Sequence, residues 1–146
     1  MSDRLIQVER DGEKITLALP PHHFTIDPTA LDSDLCTIGG HMLEYGTVEA
    51  ELKSEVARKE AELDVLYAQL DGELRAKSKK SDERLTETRI KNLIVGTGSY
   101  QFKVDDVRNS QRNANIMRWA MTSLNKKCDC LLEISRRERV ISRTEG

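Results

Sequence analysis

The chain has 146 residues, of which 33% are charged and only 4% aromatic, and its formal net charge is −2. That length makes one ordinary domain, or one small module plus a long helical element. The near-neutral charge excludes a global nucleic-acid signature, so any basic surface must be local. So few large rings argue against a thick self-contained core and for self-association.

The first segment, "RLIQVERDGEKITLALPPHHF", places short alternating apolar runs on either side of Asp11-Gly12. An Asp-Gly pair supplies the positive φ angles of a tight turn, so a β-hairpin is predicted, ended by Pro20 and Pro21. Two strands alone are marginal in water, and the hairpin must therefore pack on helices or on a neighbouring subunit. Residues 1–25 are read as this hairpin and its loop, and residues 26–146 as a helical domain for oligomerisation and strand binding.

In "TIDPTAL", Asp27 suits a helix cap and Pro28 the first helical position. Gly39, Gly40 and Gly46 predict a kink or break before a second amphipathic helix from Thr47 to about Lys77. That helix carries Val48, Leu52, Val56, Leu63, Leu66, Leu70 and Leu74 at spacings near three and four, interrupted by Lys59. "RAKSKKSDERLTETRIK" reads as a polar connector, after which Thr86 caps a short helix with Ile90, Leu93 and Ile94, closed by Gly96. Ser99 is placed to cap the last helix, in which Val107, Ala114, Met117, Met121, Leu124, Cys128 and Leu131 recur at steps of seven, three, four, three, four and three. The fold class is therefore mainly α, with long amphipathic helices in a bundle or coiled-coil-like oligomer. Its subunits are expected to meet through the Leu52–Leu74 and Val107–Leu131 stripes, notably Leu52, Leu63, Leu66, Leu70, Val107, Met117, Met121, Leu124 and Leu131.

Cys128 and Cys130 look like half of a metal site, but two residues on a helix are about 200° apart, so the pair cannot share an ion. Cys128 falls on the packed stripe instead, and no metal or cofactor is expected. His22-His23 and His41 lack a zinc-like partner spacing and read as a solvated loop and its neighbour. No nucleophile elbow, phosphate loop or dinucleotide fingerprint occurs, and "VGTGSY" links two helices without a preceding strand, so no enzymatic activity is expected. Three cysteines, a charged N-terminus and the absence of an apolar run of about 18 residues predict a soluble intracellular protein with free thiols.

Charge is distributed unevenly. Residues 47–74 hold eight acidic and three basic side chains, whereas residues 75–91 hold seven basic (Arg75, Lys77, Lys79, Lys80, Arg84, Arg89, Lys91) and three acidic. Further cations, Arg136, Arg137, Arg139 and Arg143, lie near the C-terminus. In one copy such clusters serve as a solubilising surface; repeated around a symmetry axis they make a positive ring that attracts a polyanion in a salt-dependent way. Tyr67, Tyr100 and Trp119 are the large rings available for base stacking, with Trp119 expected to be buried beside the stripe.

From Ile26 to Ile141 the chain resembles the phage recombination mediator (UvsY-like) family. The resemblance lies in the "IDPTAL" opener, a charged helix bearing "LYAQLD", the "LTETRIKNLI" helix, and Trp119, Leu131, Ile134 and Arg136 in the last helix. It implies a helical subunit assembled as a closed ring, a heptamer, in the host cell cytoplasm. It also implies binding to single-stranded DNA, to a phage recombinase and to the single-stranded-DNA-binding protein that the recombinase replaces. Two departures stand out. Tyr67 and Gln69 flank the Ala of the L-x-A-x-L-D element where the family can carry cations, which passes the phosphate-contacting role to Arg58 and Lys59 or to the connector. The N-terminal hairpin is the other. The expected strand-binding set is Arg58, Lys59, Lys77, Lys79, Lys80, Arg84, Arg89 and Lys91, with Tyr67 as a stacking partner. The rival expectation is a phage scaffold or assembly chaperone that uses the same helices for protein contacts alone; an inhibitor of a host protein is a third.

Overall fold

The computed structural model describes residues 2–145. Strands β1 (Arg4–Arg10) and β2 (Glu13–Leu19) pair antiparallel, with Ile6 opposite Leu17 and Val8 opposite Ile15. Asp11 and Gly12 take φ angles of 52° and 81°, the two left-handed positions of a type I′ turn, whose twist matches that of the strands it joins. A single 3₁₀ turn, Pro21–His23, follows. Asp27 then accepts a hydrogen bond from the Thr29 amide at 2.9 Å and caps a second 3₁₀ turn, Pro28–Ala30.

That turn runs directly into α1 (Leu31–Lys80), a continuous helix of 50 residues. The break expected at Gly39, Gly40 and Gly46 does not occur. The cost of glycine in a helix, about 1 kcal/mol each, is met by burial of Ile38, Tyr45, Val48 and Leu52 on one face of the same turns. Gly46 has a packing role as well, since a Cβ there would lie 3.6 Å from Met121 Cε. The polar connector is also shorter than expected, because α1 continues through Lys80 and only residues 81–86 separate it from α2 (Glu87–Val95). Asp82, at φ 55°, turns the chain out of α1. Thr86 Oγ1 accepts from the Arg89 amide at 3.2 Å, and the Gly96 amide donates to Asn92 O, closing α2 at both ends. The last helix, α3 (Gly98–Thr144), begins one residue before the expected cap at Ser99.

The chain divides into two compact units, one of residues 1–52 with 113–146 and the other of residues 53–112. This is not the division at residue 25, because the hairpin shares its core with the helices: Ile6, Val8 and Leu19 belong to one buried cluster with Ile38, Tyr45, Val48, Leu52, Met117, Leu124 and Leu131. Phe24 stacks on Tyr45 at a ring separation of 5.6 Å and 19°, and Arg10 ties the far end of β1 to Glu51 at 2.7 Å. In the second unit Ile90, Ile94 and Val107 are buried.

These positions correct the expected subunit seam. Leu52, Met117, Leu124 and Leu131 are 0% exposed and Val107 is 6% exposed within one chain, so the periodic stripes are filled by the chain's own elements. Met121, Leu63, Leu66 and Leu70 are half-buried. Periodicity identifies a face that must be covered; it does not say whether the cover comes from the same chain or another copy. Truncating Leu124→Ala should therefore lower the stability of the chain by about 3 kcal/mol, read as a shift in urea midpoint that does not depend on protein concentration.

Candidate nucleic-acid interface

The strand-binding candidates divide into two groups. Lys59 lies in the interior of the second unit, 6% exposed, with its Nζ 3.0 Å from Asp106 Oδ1 and 3.1 Å from Glu55 Oε1. Burial alone would lower its pKa, but the hydrogen bonds it donates to Asp106 and Glu55 outweigh it, raising the pKa and keeping the ammonium charged. Ser110 donates to the same Glu55 at 3.2 Å. Lys59 is thus a structural cation and is removed from the expected DNA-contacting set. Arg58, one residue earlier, is exposed but binds Glu62 at 2.8 Å, and Glu62 also receives Lys103 at 2.8 Å. Tyr67 is half-buried and meets the half-buried Tyr100 ring edge-on at 6.0 Å.

The second group remains at the surface. Lys77, Lys79 and Lys80 occupy the last turn of α1, where cations also complement the helix dipole. Arg84 lies in the six-residue loop, and Arg89 and Lys91 in α2; all six side chains are exposed, and none has an ion pair among the described residues. Arg75 behaves differently. It binds Asp71 at 3.1 Å and Glu87 at 2.7 Å, and these carboxylates, Glu87 first, raise its pKa. By engaging Glu87, Arg75 removes one of the three local acids and leaves Asp82 and Glu83 beside six cations. The structure therefore concentrates positive charge where α1 hands over to α2. A solvent-exposed group of this kind suits a phosphate backbone, which is recognised mainly through charge and counterion release.

Sequence reasoning missed two features. The first is Trp119, expected to be buried but 64% exposed. Its position, two residues from Met117, places it about 200° around α3 from the packed stripe, so the periodicity itself carried the signal. The second is the histidine loop. His23 is not solvated but half-buried, stacked on His41 at 3.9 Å and 24°, edge-on to His22 at 4.4 Å, with Nδ1 hydrogen-bonded to the Tyr45 hydroxyl. Lys127, 4% exposed, donates to His23 O at 3.2 Å and lies 3.6 Å from Asp34. Burial, then the neighbouring imidazoles His41 and His22, lower the His23 pKa below 6.5, and burial pushes the Tyr45 hydroxyl up to about 12. Among the described residues no group of three His, Cys, Asp or Glu side chains is arranged to hold a metal. Cys128 is half-buried against the first unit's core and Cys130 exposed, as their positions around α3 require.

In comparisons with known proteins, no family model, no curated protein and no solved structure matched the chain. Among the described residues no helix is long and apolar enough to cross a membrane.

Two measurements check these assignments. Lys59→Met leaves Glu55 and Asp106 without their cation and should cost about 2 kcal/mol in urea unfolding, below the value for a fully buried pair because Asp106 keeps some hydration. For His23 the folded pKa is the lower one, so the unfolded chain takes up the proton more readily. Stability should hold above pH 6.5 and decline as pH falls below it. Urea midpoints measured between about pH 7 and pH 5 should fall less steeply in His23→Gln than in the parent.

Proposed function

We propose that this chain is a non-enzymatic mediator that binds single-stranded DNA as a homo-oligomeric ring. It helps load a phage recombinase in place of the single-stranded-DNA-binding protein. The observation that carries the reading is the set of six exposed cations, Lys77, Lys79, Lys80, Arg84, Arg89 and Lys91, without ion pairs among the described residues. One copy presents too few charges to hold a strand tightly, and several copies around an axis multiply them into a track. The recombinase, the displaced binding protein and the sevenfold ring rest on the family resemblance of residues 26–141.

Assembly has to use apolar side chains that the chain leaves uncovered. Leu132, Val140 and Ile141, in the last turns of α3, are 47%, 60% and 55% exposed and fit that role. The mechanism needs no bond-making chemistry. Each subunit contributes backbone contacts, and the strand held by the ring becomes a poorer substrate for one coating protein and a better one for another, a shift set by differential affinity.

A second reading, a scaffold or assembly chaperone, is favoured by further exposed apolar residues: Leu43 at 74%, Val65 at 56% and Phe102 at 74%. The two readings separate on one experiment. Replacing Lys77, Lys79 and Lys80 together with Gln should weaken oligonucleotide binding and lower the slope of log affinity against log salt by about 2 to 3 for each copy in contact with the strand. The mass of the native oligomer should be unchanged. A scaffold shows no salt-sensitive gel retardation in either protein, and an unchanged affinity and slope in the variant rules out this junction as the site.

A further inference from the structure

We infer that the turn from Pro21 to Phe24 is an acid-released latch, held to α1 and α3 by a cluster of side chains that has no place for a further positive charge. The His23 and His41 rings stack at 3.9 Å and 24°, and His22 meets His23 edge-on at 4.4 Å. His23 Nδ1 is hydrogen-bonded to the hydroxyl of the buried Tyr45, and Phe24 stacks on the Tyr45 ring. The buried Lys127 ammonium donates to His23 O at 3.2 Å, so one cation is already enclosed beside the turn. Its carboxylate partner is Asp34, at 3.6 Å.

A proton on either stacked ring is poorly compensated. The charged imidazole donates from both nitrogens, yet His41 Nδ1 is enclosed and finds no hydrogen-bond partner among the described residues. A proton on His23 faces His41 across the stack, His22 at its edge and Lys127 on α3. Burial opposes that charge first and the two imidazoles next; Glu44 on α1 favours it, and Lys127 opposes it. Asp34 is engaged by Lys127, Asp3 acts on Tyr45, and the Tyr45 hydroxyl, at about 12, keeps its proton throughout. A hydrated imidazole takes its proton near about pH 6.5. Acid therefore favours the form in which the turn has left α1 and its histidines meet water. The release is local, because the turn's own backbone bonds, His23 N to Pro20 O and Phe24 N to Pro21 O, lie within the segment. Leaving α1 breaks no hydrogen bond of a helix or of the hairpin. Pro21 and Phe24 also line a groove of about 340 Å³ with Leu19, Ile116, Ala120 and Trp119. Opening thus uncovers an apolar floor beside the exposed indole.

The latch does not depend on the proposed ligand, and amide hydrogen exchange followed by NMR tests it, because exchange reads rare openings residue by residue. Protection of the His23 and Phe24 amides, corrected for the intrinsic rate at each pH, should fall below pH 6.5. The fall should reach up to about tenfold per pH unit, the limit for one linked proton. These amides should respond little to dilute urea, since a local opening exposes little surface, whereas the amides of buried Leu52 and Leu124 should respond steeply. His23→Gln should abolish the pH dependence and His41→Gln should reduce it. His22→Gln, at an exposed ring, should keep most of it. A flat pH response in the parent, a response that survives in His23→Gln, or one unchanged in His41→Gln overturns the histidine latch. Equal urea sensitivity of turn and core amides overturns local release, because the turn then opens only with the whole unit. Should His23→Gln not fold, the parent's pH and urea responses and His41→Gln decide the matter alone.

Discussion

Two ammonium groups taken out of water govern how this chain can fold. Lys59 on α1 is held by Asp106 on α3 in one unit, and Lys127 on α3 is held by Asp34 on α1 in the other. A buried charge without a partner is far more costly than a missing apolar contact, so each pair tolerates only the alignment of α1 and α3 that closes it. Apolar stripes with spacings of three and four are nearly self-similar after a shift of one heptad, and they restrain sliding weakly. The ion pairs lack that ambiguity. Within each unit they fix which turn of one helix faces which turn of the other.

The same pairing decides which charges are left for a ligand. The middle of α1 is acidic in sequence, yet several of its carboxylates are committed: Glu55 to Lys59 and Ser110, Glu62 to Arg58 and Lys103, and Asp71 to Arg75. The exposed pairs among these, at Glu62 and Asp71, add little stability individually. Their importance lies in the field they leave behind. Arg75 and Glu87 neutralise each other across the loop, and the lysines of the last α1 turn stand without a local counter-charge of that kind.

How legible this was in the sequence depends on the range of the interaction concerned. The hairpin, its Asp11-Gly12 turn, the Asp27 cap and the Thr86 cap were readable because each is set by residues within a few positions of one another. The continuity of α1 was not, since glycine propensity argued for a break and the burial that overrides it comes from residues far along the chain. Lys59 looked like any other helix cation until Asp106, 47 positions later, was placed beside it. The histidine loop was misread for the same reason, His41 and Lys127 being remote from His23 in sequence.

By itself the sequence determined the mainly helical class, the terminal hairpin, the apolar stripes and the cationic run after residue 74, because periodicity, turn chemistry and charge density are local properties. Only the tertiary structure decided that the stripes close on the same chain, that Lys59 is interior, and that Trp119 stands exposed over a groove. Burial depends on which distant surface arrives to exclude water, and that information is written in pairs of positions, not in any one stretch.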